Sequence, residues 1–130
     1  MEQEYLIDTN VIIDYMGEKF SGHVLDFLDT IINTSFFLSI VNKIELLGFK
    51  DLTASEERKF ETLVSASNII LLHDDIVDET ITLRKKYAIK LPDAIIAAPA
   101  ISIGATLITS DLTDFSKVAS LKILDPHNIK

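Results

Sequence analysis

A chain of 130 residues, 48% hydrophobic and 25% charged, has globular composition and room for one core, so disorder and low-complexity classes are excluded. Its lack of cysteine excludes a disulfide scaffold and any thiolate site, leaving oxygen or imidazole as the donors for a metal. A formal net charge of −8 argues against nonspecific attachment to nucleic acid, which rests on surplus Lys and Arg.

The opening Met-Glu-Gln-Glu is not the basic head of a secretory signal, and no lipid-anchor motif stands at either end, so the expected location is the cytoplasm. A strand is predicted at residues 5–7, followed directly by Asp8, Thr9 and Asn10 and then the apolar run 11–13. Asp and Asn at such a junction serve as turn and cap residues, and a strand ending in a parallel sheet also presents its last residues to a ligand cleft. Helical periodicity follows at 21–33, a strand at 36–40, and helices at 41–49 and 54–66. Thr53 or Ser55 can cap the last of these, with Glu56 and Glu57 in its first turn.

A strand at 69–72 leads to a helix at 75–87, for which Asp74 or Asp75 is the expected cap, and a helix at 92–103 with Pro92 in its first turn and Gly104 as its left-handed stop. Pro99 is expected to kink that helix, at a cost of about 3 kcal/mol without compensation. Strands at 106–109 and 121–124 close the chain. The longest apolar stretch, 94–108, is broken by Pro99, Ser102, Gly104 and Thr106 and falls short of the ~20 residues a membrane span needs. Alternating strands and helices imply right-handed crossovers and an α/β fold: one domain over residues 1–130, with a parallel sheet covered on both faces.

Four acids occupy comparable places. Asp8 follows the first strand, Asp111 follows the fourth in "LITSDLTDF", Asp93 lies in the first turn of "LPDAIIAA", and Glu45 sits one turn into "VNKIELLGF". Capping and dipole effects account for Asp93 and Asp111 taken singly. Glu45 shares a helical face with Val41, Gly48 and Phe49 and is expected to point toward the apolar side, where an unpaired carboxylate is costly. Carboxylates converging in one cleft repel by about 4 kcal/mol per pair at 4 Å and an effective dielectric of 20. With no lysine expected beside each acid, the natural neutraliser is a hard divalent cation, Mg²⁺ or Mn²⁺, suited to in-line displacement at phosphorus.

In order and spacing, "DTNVIID", "IVNKIELLG", "LPDAIIAA" and "LITSDLTDF" resemble the PIN-domain family, and within it the VapC-like ribonuclease toxins of toxin-antitoxin pairs. The likeness spans about residues 5–115. It implies a three-layer α/β/α sandwich on a central parallel sheet and a Mg²⁺- or Mn²⁺-dependent endoribonuclease acting on RNA. Asp8, Glu45 and Asp93 would be its core metal-binding acids and Asp111 the fourth, with Asp114 ranked below because one acid of that pair suffices to fold the turn. Asn10 and Thr109 would be polar supports. Asn42 stands where similar sequences often have Ser or Thr, and Pro99 interrupts a run that is usually Ala-rich. The resemblance also implies a cognate antitoxin, whose peptide would lie over the cleft, and a homodimer.

On this reading Asp8, Asp93 and Asp111 hold the cation while Glu45 either binds it or orients the attacking water. Arg84, Lys85, Lys86 and Lys90, four of the twelve basic residues within seven positions, would grip the RNA backbone; a solvated helix face is the plain alternative. "LHDDIVDE" at 72–79 is explained by helix capping more cheaply than by a second metal site, and His23 and His127 are expected at the surface. Two rivals stand beside the nuclease: a non-catalytic PIN-like interaction module, marked by a missing acid, and a Mg²⁺-dependent phosphoryl-transfer or receiver-like domain, marked by a lysine on a late strand.

Overall fold

Leu6 and Ile7 are chain neighbours in a strand, so their side chains point to opposite faces, yet both are fully buried. Such a strand must be covered on each side. The computed structural model, which describes residues 3–129, meets this requirement with five parallel strands between two helical layers. In chain order the elements are β1 (Tyr5–Ile7), α1 (Thr9–Met16), α2 (Gly22–Thr34), β2 (Phe37–Ser39), α3 (Ile40–Leu47), α4 (Ala54–Ala66), β3 (Asn68–Ile70), α5 (Asp74–Lys86), α6 (Leu91–Ile103), β4 (Thr106–Ile108), α7 (Leu112–Phe115) and β5 (Lys122–Leu124). A single 3₁₀ turn, Pro126–Asn128, follows.

The strand order is β3-β2-β1-β4-β5. Register sets Leu6 beside Leu107 and Ile7 beside Ile108, so the alternation of one strand continues across the next. Leu6 and Leu107 join Ile76, Leu83, Ile96 and Phe115 from α5, α6 and α7 on one face. Ile7 and Ile108 join Val11, Leu28, Leu46 and Leu63 from α1 to α4 on the other. The architecture is the expected α/β/α sandwich.

The element ends differ from expectation by a residue or two, for local reasons. The strand expected at 36–40 stops at Ser39, because Ser39 caps α3 through a reciprocal box with Asn42 and Ile40 becomes helical. Thr53, not Ser55, caps α4, again through a box with Glu56. Neither Asp74 nor Asp75 caps α5: His73 holds that position without a side-chain bond, and both acids fall in the first turn, where the dipole favours them. Helix α6 continues through Pro99 to Ile103. Pro99 is itself buried, as are Ala97, Ala98 and Ala100, so packing of the most buried helix outweighs the lost backbone bond. Gly104 ends α6 at φ +70°, as its sequence position implied. Among the described residues no helix is long and apolar enough to cross a membrane.

Candidate active site

From β1 the chain winds outward through β2 to β3, then returns to place β4 on the other side of β1. Connections from the carboxyl ends of β1 and β4 therefore leave toward opposite layers, opening the crevice where ligands bind in open α/β sheets. A cleft of about 570 Å³ lies there, lined by Asp8, Glu45, Asp93 and Asp111 among others.

Asp8 is buried and caps α1: its Oδ1 accepts the Thr9 backbone N–H at 2.9 Å, and its Oδ2 accepts the Thr109 hydroxyl at 2.8 Å. Burial pushes its carboxyl up from the ordinary value, opposed by these two hydrogen bonds and reinforced by the charges of Glu45 and Asp111. The cap and the cleft residue are thus one side chain. Thr109 is buried too, and its Oγ1 accepts the Asp111 backbone N–H at 3.0 Å, tying the end of β4 to Asp8. Asp111 stands at the N-terminal edge of α7 but makes no capping bond with its side chain, which leaves its carboxylate to the cleft. Between the two, Ser110 Oγ is buried without a hydrogen-bond partner among the described residues.

Asp93, in the first turn of α6, and Asp114, in α7, join Asp111 in a cluster where one oxygen from each lies within 4.8 Å of the others. Burial pushes the Asp93 carboxyl up to about 6, helped by its hydrogen bond to Asp114 and by the charges of Asp111, Asp114 and Asp8. Asp114 is held below the ordinary carboxylate value, chiefly by Lys117, whose Nζ lies 3.2 Å from its Oδ1. Lys117 pairs with Asp114, an acid outside the four for which no neighbouring lysine was expected. Lys117 is three residues from Asp114 on the same short helical turn, a spacing legible in sequence.

Glu45 corrects an expectation. Its helical face does carry Gly48 and Phe49, but that face lines the cleft rather than the core. The buried face of α3 belongs to Asn42 and Leu46. An exposed Glu45 carboxylate needs no charge partner to sit there, and its Oε1 accepts the Thr9 hydroxyl at 2.7 Å. Asn10 is exposed on the cleft wall. Phe49, expected on an apolar face, and Lys50, unremarked in the sequence, also line the cleft; the signal was an aromatic and a cation directly after the helix-ending Gly48.

None of Arg84, Lys85, Lys86 and Lys90 lines the cleft. Arg84 Nη1 donates to the Ile89 carbonyl at 2.7 Å, so part of its guanidinium is structural, and Lys86 Nζ sits 5.5 Å from the centre of the Tyr87 ring. Lys85 and Lys90 are exposed, the latter just before α6. His23 and His127 are at the surface, as expected.

Residues 5–121 match the family model of the PIN domain. The chain belongs to the PIN-domain family. Solved structures similar to this PIN domain include a toxin-antitoxin complex from Klebsiella pneumoniae, at 28% identity and a TM-score of 0.74, covering 95% of this chain and 98% of that one. VapBC-1 from nontypeable Haemophilus influenzae aligns at 24% identity and a TM-score of 0.79, covering 97% and 100% of the two chains. FitAcB from Neisseria gonorrhoeae aligns at 21% and 0.76, covering 95% and 99%. No curated protein sequence matches significantly. The strand order of this PIN domain also differs from the 2-1-3-4-5 order of flavodoxin-like receivers, which removes the receiver-like rival.

Proposed function

We propose that this PIN domain is a divalent-metal-dependent endoribonuclease, cleaving RNA phosphodiester bonds with Mg²⁺ or Mn²⁺ as the toxin of a toxin-antitoxin pair. The observation that carries the reading is the gathering of Asp93, Asp111 and Asp114 within 4.8 Å beside the buried Asp8, with Asp93 pushed up to about 6. An all-oxygen donor set of crowded acids fits a hard cation, and Lys117 balances only one of them. Asp8, Asp93 and Asp111 would hold the cation, joined by Asp114. When bound it supplies Lewis acidity toward a phosphodiester and water.

The rest falls to the chain's own side chains. Glu45, held by Thr9, faces the cleft as a base for the attacking water. Lys50 offers a cation to a phosphate and Phe49, 43% exposed, a ring face to a base. Lys85, Lys86, Lys90 and the free part of Arg84 extend that grip outside the cleft and offset the acidic field. An antitoxin partner is in keeping with the toxin-antitoxin complex at 28% identity; it would cover the cleft and set a basic side chain among the acids. A homodimer would cover exposed apolar side chains such as Ile44 and Leu47 on α3.

The test is calorimetric titration of the purified, partner-free protein with Mn²⁺ and Mg²⁺, alongside cleavage of a mixed single-stranded RNA pool. Binding weakened by both Asp8→Asn and Asp93→Asn, with cleavage abolished by chelator and by Asp93→Asn, is the expected result. A folded protein that binds neither ion would overturn the nuclease in favour of the interaction module.

A further inference from the structure

Buried polar groups that could accept or donate in either sense are here arranged so that only one sense is possible. At the end of β2, the Ser39 backbone N–H and its hydroxyl both donate to Asn42 Oδ1, each at 2.8 Å. Two donors on one atom identify it as the amide oxygen, so the opposite atom is the NH₂ group. That nitrogen lies 2.9 Å from Thr9 Oγ1 and can only donate to it. The Thr9 hydroxyl has one hydrogen, and its remaining close partner is Glu45 Oε1 at 2.7 Å. Ser39 and Asn42 are fully buried and Thr9 is 7% exposed, so water does not offer substitutes.

We propose that Asn42 and Thr9 are positioning residues which orient Glu45 toward water and substrate in the cleft. Thr9 begins α1 and Asn42 stands one turn before Glu45 on α3, so the run of bonds locks the carboxylate to the ends of β1 and β2. One oxygen of Glu45 is occupied, leaving Oε2 to the cleft. An Asn at position 42 is the feature that sets the direction: a Ser or Thr hydroxyl there could donate or accept, and the sense of the run would be lost.

The inference rests on the nuclease reading, and the experiment separates the two. Thr9→Val, Thr9→Ser and Asn42→Asp are compared with the parent protein in Mn²⁺ affinity, in kcat and KM on RNA, and by NMR of the Thr9 hydroxyl proton. Asn42→Asp keeps the shape but cannot donate, so the Thr9 hydrogen turns back toward residue 42. The expected result is a kcat about 10- to 100-fold lower in Thr9→Val and Asn42→Asp with KM and Mn²⁺ affinity within about twofold, and near-complete rescue in Thr9→Ser. By NMR the hydroxyl proton exchanges slowly and couples to the Glu45 carboxylate in the parent, and that coupling disappears in Asn42→Asp. Unchanged kcat in Thr9→Val, a Thr9→Ser variant as impaired as Thr9→Val, or a Thr9 proton uncoupled from Glu45 overturns the proposal. A parent protein without metal-dependent cleavage refutes the nuclease instead, and the NMR comparison still decides whether the hydrogen bonds run toward Glu45.

Discussion

Replacing Asp93 by Asn should make the metal-free protein more stable at neutral pH while destroying its metal site. The Asp93 carboxyl is pushed from 3.8 up to about 6 in the folded chain by burial first, then by its bond to Asp114 and by the neighbouring carboxylates. A folded-state value above the unfolded one means that the protonated form is the one folding favours. That stabilisation is fully present below about pH 4 and is lost as pH rises through about 6. A rise of about 2 units corresponds to ~3 kcal/mol at 1.36 kcal/mol per unit. Asp93 is only partly buried, and solvent screening reduces this to about 1–2 kcal/mol. An Asn of the same shape never ionises and still donates to Asp114.

Thermal unfolding with chelator present should therefore show Asp93→Asn melting about 3–8 °C above the parent at pH 7.5, with the gap closing toward pH 4. Added Mn²⁺ should invert the order, because ligand at 100 times its Kd stabilises only a competent site, by about 2.7 kcal/mol. An Asp93→Asn variant no more stable than the parent at pH 7.5, or a gap independent of pH, would refute the claim that this carboxylate is ionised against its surroundings.

Other outcomes follow from separate parts of the molecule. Tyr15 donates to Asp29 Oδ1 at 2.5 Å, and burial with that bond raises its phenol to about 12; absorbance titration should show one tyrosine ionising late, and its share of stability should be lost only as pH rises from about 10 through about 12. Leu107, fully buried on a central strand, should cost about 2–5 kcal/mol in urea unfolding when changed to Ala, and a smaller loss would mean the sheet collapses around the gap. Lys50→Gln should weaken RNA binding and lower its salt slope by about 0.7, as should loss of either Lys85 or Lys86; an unchanged slope removes that residue from the phosphate contacts.

The elements themselves were legible because their signals are short-range. Apolar runs, the Thr53 and Glu56 box, Pro92 at the start of α6 and Gly104 at its end act within a few residues, so α4 was anticipated to the residue. Asp8, Asp93 and Asp111 could be marked as candidates because each follows a strand or opens a helix, and Glu45 because it stands one turn into α3 on a face with apolar neighbours. What the tertiary structure decided lies between elements. The return of β4 to the side of β1 brings Asp111 to Asp8, and the packing of α6 against α7 draws Asp93 and Asp114 into one cluster, although they are 21 positions apart. Whether Glu45 faced core or cleft depended on which side of α3 the sheet would cover, and helical spacing fixes a face without saying what meets it. The direction of the Ser39, Asn42, Thr9 and Glu45 hydrogen bonds was equally out of reach, since a hydroxyl or amide donates or accepts only according to neighbours that folding supplies.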